Sequence, residues 1–512
     1  MTETQLQTLK QSLLATVNLL RNQMDADKYR DYILGLLFFK YLSENLEEKA
    51  NQLLEGESVS FDQLDADHED MAFIRETMTE DLGYFLQPDE HFGKYAERGA
   101  RGDFILEDLE NTLAKIERSG VGTVSEGALD NLFQSMVFTS ADLGNDPDAR
   151  NENVVAIVTH LNKIDFGLAD ANSDVLGDAY EFLIGDFAAG AGKRAGEFYS
   201  PQCAATILAK IVSTGKTRLK SVYDPTCGSG SLLLRTSKEV DQVGTFYGQE
   251  KKNVTYNRAR MNMLLHGVSP QRFDIQCADT LEDPRHADES FEAIVANPPF
   301  SANWKAGQIF EKDDRFSPYG RLAPKGNADY AFISHILHHL DDNGTAAVIM
   351  PHGPLFRGAA EASIRKEILE RNFLDAVIGL PANIFYGASI PTCIMVFKKC
   401  KTDDKVLFVD GSDLFEKAKS KNTMNEEHIE KIVTAYRDRQ EVERFCHLAS
   451  PEEICENEYN LNIPRYVDTF EPEPEVDLAA VTAELKEIEV GMGEVDAKIR
   501  GFCADLGLEA PL

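Results

Sequence analysis

The sequence predicts an α/β fold: a doubly wound, mostly parallel sheet of seven strands, preceded by an α-helical domain and followed by a helical tail. Three observations carry that expectation. From about residue 200, short apolar runs alternate with helix-length segments, the pattern of a parallel sheet covered on both faces. The first 150 residues instead place apolar side chains every three or four positions and show few strand signals. Beyond residue 471 a proline-rich stretch gives way to a heptad repeat. The expected divisions are 1–150, 151–470 and 471–512.

The helical domain is read from Leu6, Leu9, Leu13, Val17 and Leu20, and from a second periodic run, DYILGLLFFKYLSENLEEKANQLL. In the middle, SVYDP, TFYGQE, FDIQCAD, FEAIVANPP, GTAAVIMP, LDAVIGLP and TCIMVFKK are the seven strand candidates, several of them ending in Asp, Glu or Asn. Between the second and third, KKNVTYNRARMNMLLHG reads as a helix that Gly267 stops. Sheets of this kind bind ligands outside the carboxyl ends of their strands. In the tail, EPEPE at 471–475 reads as a stiff linker. Leu478, Val481, Leu485, Ile488, Met492, Val495, Ile499 and Phe502 then recur at spacings of 3 and 4, an apolar seam weakened as a helix by Gly491 and Gly493. Such a seam packs on another helix, in this chain or in a partner.

Composition narrows the class. At 512 residues, 43% of them hydrophobic, the chain can fill more than one core. Its eight cysteines form no CxxC pair and no zinc-spaced cluster, so no metal site is expected. MTETQLQTLK does not read as a signal peptide, and the longest apolar run, YILGLLFF, is too short to cross a bilayer; the expectation is a cytoplasmic protein without a membrane partner. The net charge of −34 is uneven. Acidic residues outnumber basic ones 30 to 13 over 1–150, 40 to 35 over 151–450 and 16 to 4 over 451–512. A chain so acidic repels nucleic acid unless a basic face is hidden in the middle or a partner supplies the phosphate contacts.

The chemistry begins at DPTCGSGSLL, 224–233, directly after the first strand. Gly228 and Gly230 let a ligand approach the backbone, flanked by Ser229 and Ser231, and the next helix begins here. Leu233 stands where a dinucleotide fingerprint needs its third glycine. Asp224 ahead of the glycines suits a cationic ligand rather than a pyrophosphate, and S-adenosylmethionine, with its ammonium and sulfonium, is such a ligand. Glu250, at the end of the second strand, suits two ribose hydroxyls. Asp279, after the third, suits an adenine amino group. Singly, each acid reads as a solvated strand-end residue; together, behind a glycine loop, they read as a binding site.

The fourth strand, FEAIVA, is stopped by Asn297, Pro298, Pro299 and Phe300. Asn-Pro-Pro also makes an ordinary turn. Beside the expected cofactor, however, it offers a side-chain amide oxygen, the carbonyl of Pro298 and an aromatic ring. Two acceptors aimed at one point suit an exocyclic NH2 group and draw its nitrogen out of conjugation, exposing the lone pair to an electrophilic methyl. Phe300 suits stacking on a base.

DPTCGSGSLL with NPPF resembles the N6-adenine DNA methyltransferases, and GEFYSP at 196–201 is similar to the upstream element of that family. Together with the helical N-terminal domain, LGDAYEFLI at 176–184 and GLPANIFYG at 379–387, these motifs resemble the methylation subunit of type I restriction-modification systems over nearly the whole chain. The resemblance implies the S-adenosylmethionine-dependent methyltransferase fold. It implies cofactor contacts from Glu197, Phe198, Tyr199, Ser200, Pro201, Gln202, Asp224, Gly228, Ser229, Gly230, Ser231, Glu250 and Asp279. It assigns Asn297, Pro298, Pro299 and Phe300 to a flipped adenine in duplex DNA, with direct transfer from sulfur to nitrogen. It leaves Cys227 as a small loop residue. It further implies a specificity subunit that selects the site, two methylation subunits to each, and a separate nuclease-translocase subunit. The loop after the fourth strand, with Trp304, Lys305, Lys312, Arg315, Arg321 and Lys325, is expected either to meet DNA phosphates or to be a solvated loop of mixed charge. NPPF-type motifs also occur in methyltransferases of protein glutamine and of RNA, and a non-catalytic cofactor-binding scaffold is a further alternative.

Overall fold

The computed structural model describes residues 3–20, 26–55, 59–120, 122–123, 125–165, 175–190, 200–385, 389–418, 421–469 and 477–511. Glu197, Phe198 and Tyr199, the end of GLPANIFYG and the EPEPE linker lie outside the described residues. The chain forms two compact units, Met1–Val467 and Asp468–Leu512.

The first unit opens with helices α1 Glu3–Leu20, α2 Ala26–Leu53, α3 Met71–Leu82, α4 Phe92–Ala100, α5 Leu106–Ser119, α6 Pro147–Leu161 and α7 Val175–Gly190. The expected periodicity is what buries them: Leu9, Leu13 and Val17 of α1 and Ile33, Leu36, Leu37 and Phe38 of α2 are in the core. Helix α6 starts where its sequence says it should. Asp146 caps it by accepting from the Ala149 N–H at 2.8 Å, and Pro147 occupies the first turn. LGDAYEFLI lies within α7.

The sheet follows, with α8 Gln202–Val212, β1 Arg218–Asp224, α9 Ser231–Ser237, β2 Gln242–Glu250, α10 Asn253–Leu265, β3 Phe273–Cys277, β4 Phe291–Ala296, α11 Asp329–His339, β5 Leu340–Pro351, α12 Gly353–Phe356, α13 Ala359–Glu370, β6 Leu374–Leu380, β7 Thr392–Lys398 and β8 Val406–Asp410. A hairpin of β9 Glu416–Lys417 and β10 Asn422–Thr423, then α14 Glu426–Asp438, β11 Cys446–Ala449 and α15 Pro451–Glu456, complete the unit. The strand order is β11-β8-β6-β7-β5-β4-β1-β2-β3. All seven expected strands are in it. Among the described residues the sheet has nine strands rather than seven, because β8 and β11 extend it at one edge. Strand β7 runs antiparallel between β5 and β6, and β11 antiparallel to β8; the other pairs are parallel. Two buried layers, one on each face, make it doubly wound.

Strand β1 is the switch point. The chain moves from β1 outward to β2 and β3, then returns to the other side of β1 as β4. The parallel register sets Asp224 opposite Gly248 and Tyr223 opposite Ile294, so the carboxyl ends of β1, β2 and β4 open onto one crevice.

Helix α10 joins the helical region to this crevice. Met261 and Leu265 belong to the helical core. Arg260, 2% exposed, donates to the carbonyls of Gly127 at 2.6 Å and Asp130 at 2.7 Å and to Asn257 Oδ1 at 2.7 Å. Arg258 pairs with Asp31 of α2.

The second unit contains α16 Leu478–Asp505, capped by Asp477, whose carboxylate accepts from the N–H groups of Ala479 and Ala480. The expected heptad positions lie on this one helix, Gly491 and Gly493 included, and none of its residues is buried.

Replacing Arg260 with Leu removes a buried guanidinium and the donors it gives to the part-buried carbonyls of Gly127 and Asp130. We expect a loss of about 3 kcal/mol in denaturant unfolding, with faster amide exchange over 126–134. Unchanged stability would show that the contact carries no load.

Candidate active site

Three strand ends converge on the crevice. Asp224 closes β1 and is 1% exposed. Its Oδ1 accepts from the Thr226 N–H at 2.9 Å, and among the described residues no cationic side chain pairs with it. Burial pushes its carboxyl up to about 8, and the neighbouring Glu250 pushes in the same direction. A buried acid in this state is stabilised by a cation delivered from outside.

Glu250 closes β2. One carboxylate oxygen accepts from the Gly228 N–H at 3.2 Å and the other from the Lys252 N–H at 2.8 Å, so β2 and the glycine loop are joined through this side chain. Burial raises its pKa as well. Each oxygen retains acceptor capacity for a hydroxyl.

The loop between them is shaped by what cannot fit there. Gly228 and Gly230 have φ of +54° and +80°, in the left-handed region that favours glycine. A β-carbon at Gly248 would stand 2.7 Å from Ile275 Cδ1 and 3.0 Å from Cys227 Sγ. Behind the loop, the buried Asn262 of α10 donates from Nδ2 to the Ser229 carbonyl at 2.9 Å, and Ser229 and Ser231 bond through their hydroxyls at 3.0 Å. Cys227 is buried, and burial with the adjacent acids drives its thiol well above the usual range, opposite to what a nucleophile needs.

Asp279 lies two residues beyond β3. Its Oδ1 accepts from the N–H groups of Leu281 and Glu282 at 3.0 and 3.2 Å, and Oδ2 pairs with Lys251 at 2.8 Å. It lines a cavity of about 210 Å³ together with Glu250, Leu281, Asn297, Trp304 and Phe332. A larger cavity of about 580 Å³ lies beside Tyr256 and Arg260 and is not lined by Asp224, Glu250, Asp279 or Asn297. Convergence of the acids, rather than volume, distinguishes the site.

Asn297 follows β4 directly and is half-buried. Its Nδ2 donates to Ser200 Oγ at 3.0 Å, which turns the carboxamide oxygen into the free acceptor and brings the end of GEFYSP against NPPF. Pro298 is buried and Pro299 exposed. The Phe300 ring stands edge-on to Phe385 of GLPANIFYG, with centroids 6.0 Å apart. Pro201 is buried and caps α8, while Gln202 is exposed at its first position.

Two residues of the following loop are corrected. Arg315 is 6% exposed and cannot meet phosphate: Nη1 donates to the Thr280 carbonyl and Nη2 to the Leu281 carbonyl, both at 2.9 Å, and Asp313 neutralises it. Trp304 is buried as a cavity wall, its Nε1 donating to the Pro324 carbonyl at 3.0 Å. Lys305 pairs with Glu282 at 2.6 Å, and Lys312, Arg321 and Lys325 are exposed. Phe332, Asn262 and Phe385 were not assigned to the site from the sequence, because each reaches it across a long stretch of chain, and Leu281, two residues after Asp279, gives no signal beyond an apolar side chain.

Residues 171–475 match the family N-6 DNA Methylase, and residues 9–161 match the HsdM N-terminal domain. This chain belongs to the N6-adenine DNA methyltransferases. The type I restriction enzyme MpnII methylase subunit of Mycoplasma pneumoniae is 34% identical, over 96% of this chain and 94% of the relative. The MjaIX methylase subunit of Methanocaldococcus jannaschii is 27% identical, over 88% and 82%. Among solved structures, the methyltransferase subunit of a type I restriction-modification system from Streptococcus thermophilus is 42% identical and superposes with a TM-score of 0.84 over 90% of this chain and 100% of that one. The chain is therefore a member of the type I methylation subunits, and both the fold and the methyltransferase class follow. Among the described residues no helix is long and apolar enough to cross a membrane.

Asp224 yields a pH prediction for the ligand-free protein. Its folded pKa of about 8 lies above the unfolded value of 3.8, so between those limits the folded state holds a proton that the unfolded state has lost. Stability from this group is complete below the lower limit and falls by up to about 1.4 kcal/mol per pH unit as pH rises through the window. Asp224→Asn cannot ionise, so its thermal midpoint is expected to exceed the native one by a margin that widens up to about pH 8. A constant margin would refute the assigned shift.

Proposed function

We propose that the chain transfers a methyl group from S-adenosylmethionine to adenine N6 in duplex DNA, at a site selected by a separate specificity subunit. The observation that supports this best is the joint placement of Asp224, Glu250 and Asn297 around one crevice, with Asn297 oriented by Ser200. The donor set fits the cofactor. Asp224, buried and without a cationic side-chain partner among the described residues, faces its ammonium. Glu250 accepts from its ribose, Asp279 lies on the adenine side of the cavity, and Gly228, Ser229, Gly230 and Ser231 leave room for its methionine end. The family resemblance assigns Glu197, Phe198, Tyr199, Ser200, Pro201 and Gln202 to the same cofactor.

Bound there, S-adenosylmethionine supplies a methyl group on a cationic sulfur. The protein's part is positioning and polarisation. The Asn297 oxygen and the Pro298 carbonyl accept the two N–H bonds of the N6 group and localise its lone pair. Phe300, buttressed by Phe385, stacks on the flipped base, and Pro299 contributes no competing N–H. The reaction requires no metal and no protein nucleophile.

The partners follow from charge and from α16. The acidic excess of both ends favours a second subunit as the source of DNA phosphate contacts, and a lone helix with an apolar seam needs another helix to cover it. We assign that role to the specificity subunit, two methylation subunits to each, with a nuclease-translocase subunit joining them, in the cytoplasm.

The test uses the chain alone and copurified with its specificity subunit, labelled S-adenosylmethionine and duplex DNA. N6-methyladenine should form only with the partner present. Asn297→Ala should lower transfer by roughly 1,000-fold while cofactor affinity stays near native. Label in protein or RNA, or loss of cofactor binding in that variant, would contradict the assignment.

A further inference from the structure

Ser301, the residue after NPPF, has φ of +49°. Only glycine takes this left-handed conformation without cost, so something must hold it. The holder is Asp329, the first residue of α11. Asp329 Oδ1 accepts from the Ser301 N–H at 2.8 Å, and Oδ2 lies 3.5 Å from the Ser301 hydroxyl. The next residue is tied to the same place, since the Ala302 carbonyl accepts from the Ala328 N–H at 2.9 Å.

Asp329 is 1% exposed, and a carboxylate at that depth needs a counter-charge. Arg357 supplies it. Its Nη2 stands 3.0 Å from Asp329 Oδ2, and its Nη1 stands 3.1 Å from Oε1 of the buried Glu361. The clamp is itself anchored, because Arg365 donates from Nη1 to the carbonyls of Arg357 and Pro354, both at 3.0 Å. A buried charge cluster thus ends on a single strained backbone torsion, next to the ring expected to hold the base.

We propose that Asp329, paired with and aimed by Arg357, is a positioning residue for the acceptor base. By holding Ser301 left-handed it sets the direction of the Phe300 ring and of the Asn297 and Pro298 acceptors. This inference rests on the acceptor reading above, and Asp329 acts through Ser301 rather than on substrate.

The experiment uses the complex with the specificity subunit and duplex DNA carrying the recognised site. Single-turnover methyl transfer, S-adenosylmethionine affinity and the fluorescence of 2-aminopurine at the target position are measured. Asp329→Ala should slow transfer roughly 100-fold and suppress the 2-aminopurine rise, with cofactor affinity within about threefold of native because Asp224 and Glu250 are untouched. Adding Ser301→Gly to that variant should restore at least about tenfold, since glycine accepts the torsion freely. In the native background, Ser301→Val at this exposed position should slow transfer about tenfold or more, because a β-branched residue resists it. Transfer by Asp329→Ala near the native rate would overturn the proposal. So would a glycine variant that restores nothing, or a valine variant equal to native. A native complex that makes no N6-methyladenine would instead overturn the acceptor reading, and the proposal with it.

Discussion

Parallel register is the constraint on which the site depends. Because β1 pairs with β2 on one side and β4 on the other, the three strands end within two residues of one another, and the residues that follow them face one another across a gap that no strand fills. The fold accepts an energetic cost at that gap. Among the described residues, Asp224 is buried there without a positive side chain, and Glu250 is bonded only to backbone N–H groups. An acid held this way favours protonation until a cation arrives, so binding and charge balance become one event. Asn297, on the other side of β1, faces the same gap, and its hydrogen bond to Ser200 ties the segment before α8 to the end of β4.

Helix α10 extends this constraint to the helical region. One set of its side chains, Arg258, Arg260 and Asn257, grips the first helices and the 127–131 segment, while Asn262 supports the Ser229 carbonyl in the glycine loop. The N-terminal helices are thus mechanically continuous with the loop beside Asp224. A plain helical cap would bury the sheet without reaching into that loop.

Much of this was legible in the sequence, and the reasons are local. Apolar runs that end in Asp224, Glu250 and Asn297 are readable because strand, stop and functional residue lie within ten positions. Gly228, Gly230 and Gly267 are readable because their backbone demands are local too. Strands β8 and β11 were missed because each is only a few residues long between charged segments, and pairing of β8 with β6 and of β11 with β8 supplies what their own pattern lacks. Arg315 misled for a related reason. In a mixed-charge loop it resembles a phosphate contact, yet it bonds to carbonyls 34 and 35 positions away. Ser200 with Asn297, 97 positions apart, and Ser301 with Asp329, 28 apart, are equally invisible without the fold. The acceptor was left open among adenine, glutamine and RNA by NPPF alone, because each offers a planar NH2 group. Family membership across both the helical and the catalytic regions decides it in favour of adenine in DNA.

In the proposed reaction, a buried, protonated Asp224 becomes charged when S-adenosylmethionine binds. Titration calorimetry of S-adenosylmethionine into the protein at pH 7, repeated in buffers of different ionisation enthalpy, measures that proton directly. Release of about one proton per site is expected, and it is lost in Asp224→Asn. Binding of equal strength with no proton released would contradict it.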